Sequence, residues 1–171
     1  HVLFYNVQGL LSHLTELTAV MRLSRAPPSL VCLKETFLDD SVEDVPLEGY
    51  DLDARRDRDD GRKCGGVAVY AVKSISSRIA TVEKSSSSER VWVILHADTG
   101  PYLICVWYRP PAPGETDSIK AFEEEWQRLS RDALGTIVVG DLNVHHMRWL
   151  RFSSRNSAEG ALLRDICDSV G

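Results

Sequence analysis

The segment Thr136-Ile137-Val138-Val139-Gly140-Asp141-Leu142-Asn143 decides how this chain is understood. A β-rich apolar run feeds a glycine, then places a carboxylate and a carboxamide within three residues. Taken alone, Asp and Asn after a strand ordinarily begin a turn. Three other places share the habit. The run over residues 2–5 ends in Asn6, the run over 29–33 leads into Lys34-Glu35-Thr36, and the run through Trp107 ends in Tyr108. Strand ends are rigid supports beside loops, which is where active sites collect. If these strands run the same way, Asn6, Glu35, Tyr108, Asp141 and Asn143 meet at one rim.

Working outward, Leu10, Leu14, Leu17 and Met21 recur at helical spacing and predict an amphipathic helix stopped by Pro27 and Pro28. Residues 50–55 form a weaker strand; 67–72, 75–82, 91–96 and 102–108 form stronger ones. Residues 57–66 are charged and glycine-rich, a loop; 85–88 are a polar turn, and Thr99-Gly100-Pro101 is a turn signal. Residues 118–134 predict a helix with Ile119, Phe122, Trp126 and Leu129 on one side. Asn156 and Glu159 form an N-cap and capping-box pair opening a last helix, which carries Leu162, Leu163, Ile166 and Cys167 inward. Many short strands with few helices argue for an α/β sandwich covered by helices rather than a doubly wound sheet. No repeat or linker divides residues 1–171, so a single domain is expected.

The formal net charge is −5, the wrong sign for a protein gripping nucleic acid through bulk electrostatics. It leaves room for an enzyme that reads a phosphate backbone locally through a metal ion. No apolar run is long enough to cross a bilayer. Cys32, Cys64, Cys105 and Cys167 are widely spaced with no Cys-x-x-Cys pair, so free thiols are expected rather than disulfides or zinc. No Ser/His or Cys/His nucleophile arrangement is present. Gly65-Gly66 lacks a following Gly-Lys-Ser/Thr and is expected to be a tight turn.

The rim residues make chemical sense together. A strand-end carboxylate suits Mg²⁺ or Mn²⁺, which prefer oxygen ligands. A second carboxylate suits orienting or deprotonating a water. Asn and Tyr suit donating hydrogen bonds to phosphate oxygens as charge builds.

Asn6-Val7-Gln8-Gly9-Leu10, Glu35-Thr36, Gly65-Gly66-Val67-Ala68-Val69-Tyr70, Tyr108-Arg109-Pro110-Pro111 and Gly140-Asp141-Leu142-Asn143 occur in that order. The ordered set resembles the apurinic-endonuclease-like endonuclease domain of non-LTR (LINE-type) retrotransposons, within the DNase I-like exonuclease–endonuclease–phosphatase superfamily. The resemblance implies a four-layered α/β sandwich and Mg²⁺- or Mn²⁺-dependent nicking of target DNA to prime reverse transcription. A reverse transcriptase domain as partner and a nuclear location go with it. It also implies roles: Glu35 as metal ligand, Asp141 orienting or activating the attacking water, Asn143 and Tyr108 stabilising the transition state, Asn6 holding the carboxylates and phosphate in place.

Three departures stand out. The family's closing Ser-Asp-His motif does not occur, and His145 and His146 follow Asn143 too closely to replace it. The fold is therefore expected to be C-terminally incomplete and the 171-residue chain weakly active or inactive. Lys34 stands where a Gln commonly precedes the Glu, and Gln8 where some relatives have an acid. A related phosphoesterase or apurinic-site repair enzyme is the alternative within the enzyme class. A truncated or decayed copy that keeps the fold without the chemistry is the alternative outside it.

Residues 51–63 carry five basic side chains, Arg55, Arg56, Arg58, Arg62 and Lys63, against five acids, Asp51, Asp53, Asp57, Asp59 and Asp60, so a solvated, salt-bridged loop is expected there. Residues 145–155 differ: Arg148, Arg151 and Arg155 have no acid among them and alternate with Trp149 and Phe152. His145, Arg148, Trp149 and Arg151 are the candidate DNA contacts. The alternative is that Trp149 and Phe152 pack into the core.

Overall fold

The computed structural model describes residues 1–58 and 64–170. The elements run β1 (Val2–Asn6), α1 (Leu10–Leu23), β2 (Leu30–Lys34), β3 (Tyr50–Arg56), β4 (Val67–Val72), α2 (Lys73–Ser76), β5 (Ile79–Lys84), β6 (Glu89–Ala97), β7 (Gly100–Tyr108), α3 (Asp117–Leu129), β8 (Gly135–Asp141) and α4 (Ala158–Val170). Two four-stranded sheets form, ordered β1-β2-β4-β3 and β5-β6-β7-β8. Of the six neighbouring pairs, β1–β2 and β7–β8 are parallel and the rest antiparallel.

Period-two alternation on the inner strands builds the layers. Val31 and Leu33 of β2 point to a cluster with Leu10, Leu17 and Met21 of α1. Leu30 and Cys32, their neighbours, face the other way into a cluster with Val69, Val91, Ile104 and Val106 between the sheets. On β7, Leu103, Cys105 and Trp107 face Ile119 and Phe122 of α3 and Leu163 and Ile166 of α4. The result is helix, sheet, sheet, helices: the four-layered α/β sandwich anticipated from the sequence. Cys32 and Cys105 are buried free thiols, while Cys64 and Cys167 are only partly buried.

Four departures from the sequence expectation have a physical cause in the structure. The strand expected over 75–82 starts at Ile79, because the serine-rich Lys73–Ser76 makes a short helical turn with Ser76 Oγ donating to Asp53 Oδ1 at 2.9 Å. The turn expected at Thr99-Gly100-Pro101 narrows to Asp98-Thr99, since Gly100 already pairs with Ala97. The helix expected to reach Leu134 stops at Leu129; Leu134 N–H donates to the Pro101 carbonyl at 2.8 Å and pulls the chain into line with the sheet. The last helix is capped by Ser157, whose Oγ accepts the Gly160 N–H at 3.1 Å. Asn156 instead accepts the Met147 N–H at 2.9 Å, and Glu159 accepts the Gly114 N–H.

The outer layer is fastened by one buried polar cluster. Arg90 is fully buried and lies over the Trp107 ring at 4.5 Å from its centroid. Its guanidinium donates to Glu125 of α3 at 2.7 and 2.8 Å, and Glu125 also accepts the Trp92 indole N–H at 2.6 Å. Burial pushes the Glu125 carboxyl upward, but the hydrogen bond and charge of Arg90, then Trp92 and Ser85, outweigh it and leave its pKa below the ordinary value. A depressed carboxylate contributes stability above its unfolded pKa, which is lost as pH falls through the folded one. Replacing Glu125 by Ala strands a buried guanidinium, so a loss of about 3–5 kcal/mol is expected. Urea denaturation of Glu125→Ala checks it, and Glu125→Gln should weaken the dependence of stability on pH below about 4.5.

Candidate active site

The two parallel pairs bring the predicted residues together. Asn6 ends β1 beside Lys34 at the end of β2, and Tyr108 ends β7 beside Asp141 at the end of β8. The interlayer cluster holds β2 against β7, so both pairs end at one rim.

Asn6 is oriented by two bonds. Its Oδ1 accepts the Gln8 N–H at 3.2 Å, which leaves Nδ2 to donate to Glu35 Oε1 at 2.9 Å. Glu35 lies just beyond β2 with φ +54, and Asn143 lies beyond β8 with φ +48. Left-handed backbone at non-glycine residues costs about 1–3 kcal/mol and is retained where the surroundings enforce it, often at functional sites. Here two of the five rim residues hold it. Asn143 Nδ2 donates to the Arg109 carbonyl at 2.8 Å, which fixes the carboxamide over the exit of β7.

Lys34, which stands where a Gln commonly precedes the Glu, sits at the centre of the rim. Its side chain is 9 % exposed. Its Nζ donates to Asp141 Oδ2, lies 3.4 Å from Glu35 Oε1 and stands 5.2 Å from the Tyr108 ring centroid. Burial works to lower its pKa, but the hydrogen bond and charge of Asp141, then Glu35, prevail and hold it above the ordinary lysine value. The Tyr108 phenol is pushed up by burial and by the charges of Glu35 and Glu89, against Arg58 and Lys34, so it stays a donor at neutral pH.

Arg109, which carried no role in the sequence reading beyond its place in a motif, supports the rim from beneath. It is 1 % exposed; its guanidinium donates to Ser118 Oγ and the carbonyls of Leu142, Ala112 and Glu115. A full set of acceptors around a buried guanidinium was not legible from spacing. Gly65 and Gly66, expected as a tight turn, instead lead into β4 with left-handed φ of +88 and +84, and their carbonyls accept the Phe37 and Thr36 N–H groups. A Cβ on Gly65 would overlap the Glu89 carboxylate, which binds the Gly66 N–H and Arg58.

Oxygen donors of this kind suit Mg²⁺ or Mn²⁺, and the shared contact with Lys34 shows Glu35 and Asp141 converging on one cationic point. Among the described residues no group of three or more His, Cys, Asp and Glu side chains gathers to hold a metal. Two carboxylates, with water and phosphate for the remaining positions, is a usual arrangement for Mg²⁺.

The predicted DNA contacts lie in the loop between β8 and α4. Phe152 is 92 % exposed, so it does not pack into the core; Trp149 is exposed, its ring tilted against that of His146. Arg148 and Arg151 are exposed, and Arg151 lies 5.3 Å from the Phe152 ring centroid. His145 is half-buried, its backbone N–H and carbonyl tied to Ser157, and it lines a cleft of about 350 Å³ with Asn143, Arg155 and Asn156. In the balanced stretch before β4 the charges pair as expected but not in solvent: Arg55 with Asp57, both largely buried, and Arg58 with buried Glu89. Asp59, Asp60, Arg62 and Lys63 of that stretch fall outside the described residues.

Solved structures share this fold. The endonuclease domain of TRAS1, a telomere-specific non-LTR retrotransposon, superposes with a TM-score of 0.62 at 15 % identity over 99 % of this chain and 70 % of its own. The 3'-5' exonuclease NExo from Neisseria meningitidis gives 0.64 at 14 % identity, over 98 % and 70 %. An AP endonuclease from Archaeoglobus fulgidus gives 0.65 at 14 %, over 98 % and 70 %. The chain has the DNase I-like fold. No protein-family model and no curated protein sequence matches it. The chain thus spans about 70 % of the length of these three DNase I-like neighbours, and 64 % of the human Nocturnin catalytic domain.

Within this fold Gly140 is set by space. A Cβ there would overlap the Trp107 carbonyl oxygen on the adjacent strand. Gly140→Ala is expected to force β8 off β7, destabilise the chain by about 1–3 kcal/mol and move Asp141. Urea denaturation measures the first effect, and a crystal structure of the variant shows the second.

Proposed function

We propose that this chain is a metal-dependent DNA endonuclease that nicks target DNA by phosphodiester hydrolysis, in the service of a non-LTR retrotransposon. The observation that carries it is the convergence of Asn6, Glu35, Tyr108 and Asp141, from four strands of two sheets, on one open rim. The order of the sequence motifs favours the retrotransposon branch, and the TRAS1 endonuclease domain is among the structures with this fold. The proposal includes action on nuclear DNA beside a reverse transcriptase domain.

Glu35 would hold the metal, steadied by Asn6, with Asp141 near enough to share it through water. When bound, the ion supplies charge stabilisation at the phosphoryl oxygens. Asp141 orients the attacking water and takes its proton. Asn143 uses one amide hydrogen on Arg109 and keeps the other for a phosphate oxygen. Tyr108, protonated at neutral pH, donates a second hydrogen bond to the phosphate. His145, Arg148, Trp149 and Arg151 would receive the flanking DNA, with arginines on phosphate and Trp149 against a base.

Relaxation of supercoiled plasmid in Mg²⁺ or Mn²⁺ tests the chemistry. In the domain completed with its Ser-Asp-His motif, divalent-dependent nicking reduced at least about a hundredfold in Glu35→Gln and in Asp141→Asn is expected, while the 171-residue chain alone should nick weakly or not at all. Nicking that survives both changes, or no nicking by the completed domain with either metal, would count against the assignment.

The loop is tested separately. Replacing Arg148 and Arg151 together by Gln should weaken duplex binding and reduce the slope of log affinity against log salt by about two, one per lost phosphate contact. An unchanged slope removes these residues from the interface.

A further inference from the structure

We propose that Lys34 is a resident counter-cation of the site, whose ammonium must give up Asp141 and Glu35 before a divalent ion can settle on them. The proposal rests on the reading of Glu35 as the metal-holding carboxylate, with Asp141 sharing the ion through water. Three observations carry it. Lys34 Nζ donates to Asp141 and lies 3.4 Å from Glu35 Oε1, the point where those two carboxylates converge. The Lys34 side chain is 9 % exposed, against 38 % for Asp141 and 19 % for Glu35, so the ammonium is held out of water while the carboxylates stay open to it. Its backbone is fixed in register against Asn6 on one side and Val67 on the other, so the ammonium starts from a rigid inner strand rather than a mobile loop.

The consequence follows from charge. Two carboxylates and one ammonium leave the rim at a net −1, where the carboxylates alone would give −2. A divalent ion entering the rim meets weaker attraction, and a like charge sits within a few ångströms of its position. Metal binding to the free protein is therefore weak. With the ion present, the net charge becomes +1, and a phosphodiester, itself −1, neutralises it. The freed ammonium has three donors and is positioned to turn toward that phosphate. Lys34 is thus a positioning residue: it acts through the two carboxylates and sets how tightly they hold a metal before substrate arrives.

The test is Mn²⁺ binding, followed by calorimetry and by the loss of the free-ion electron-paramagnetic-resonance signal, with folding checked by circular dichroism. Lys34→Gln removes the charge and should bind Mn²⁺ roughly tenfold or more tightly than wild type. Lys34→Arg keeps the charge and should bind as weakly as wild type. Lys34→Met gives the same readout as Lys34→Gln should the latter fail to fold. Adding Glu35→Gln to Lys34→Gln should abolish the tight site. Equal affinity in wild type, Lys34→Gln and Lys34→Met, with binding still lost on Glu35→Gln, overturns the role of Lys34 and leaves the metal assignment standing. Binding independent of Glu35 in every variant overturns both.

Discussion

The apolar layer between the sheets is the constraint on which the rim depends. Leu30 and Cys32 of β2 interlock with Val69 of β4, Val91 of β6, and Ile104 and Val106 of β7, all nearly or fully removed from water. Such a layer tolerates little sliding, because a one-residue slip on any strand would turn its alternate face inward. β2 and β7 are thereby set against each other, and whatever follows them is set too. Two side chains 107 residues apart, Lys34 and Asp141, meet because apolar side chains below them leave no other register.

The outer layers serve that arrangement with different physics. On the α1 side the fastening is apolar, through Leu10, Leu17 and Met21. On the α3 side it is an aromatic stack, Trp92, Phe122 and Trp107 with centroids 5.0–5.6 Å apart, around the buried Arg90–Glu125 pair. A buried ion pair is weak evidence of stability by itself. Here it also limits how α3 can dock, since Glu125 must reach both Arg90 and Trp92. Arg109 ties the following loop to Leu142 in the same way, so the strand ends bearing Tyr108 and Asp141 share one support.

Much of this was legible in the sequence. Apolar runs ending in Asn6, Glu35, Tyr108 and Asp141 gave away the rim, because strand alternation and chain polarity are local signals. Many short strands with few helices pointed to a sandwich covered by helices, and the resemblance implied its four layers. What the sequence did not convey were effects settled at a distance. Lys34 read as a minor departure because nothing local says that its side chain crosses to the other sheet. Asn156 read as a helix cap, but the 145–157 loop claimed its side chain for Met147 and left the cap to Ser157. The helix expected to reach Leu134 ended early, because a backbone bond to Pro101 outcompeted another turn.

The parallel pairs at the sheet edges have a consequence for how the chain comes to fold. Antiparallel neighbours such as β6 and β7 close through a two-residue hairpin and can form early. The pairs β1–β2 and β7–β8 each need a crossover, and joining the two halves of the rim closes a loop of more than a hundred residues. Contacts of such sequence separation form late, since the chain entropy they remove is large. During synthesis Asn6 and Glu35 emerge long before Asp141, so a partly made chain holds half of a site and none of its geometry. The rim is withheld until the fold is nearly finished, by topology alone.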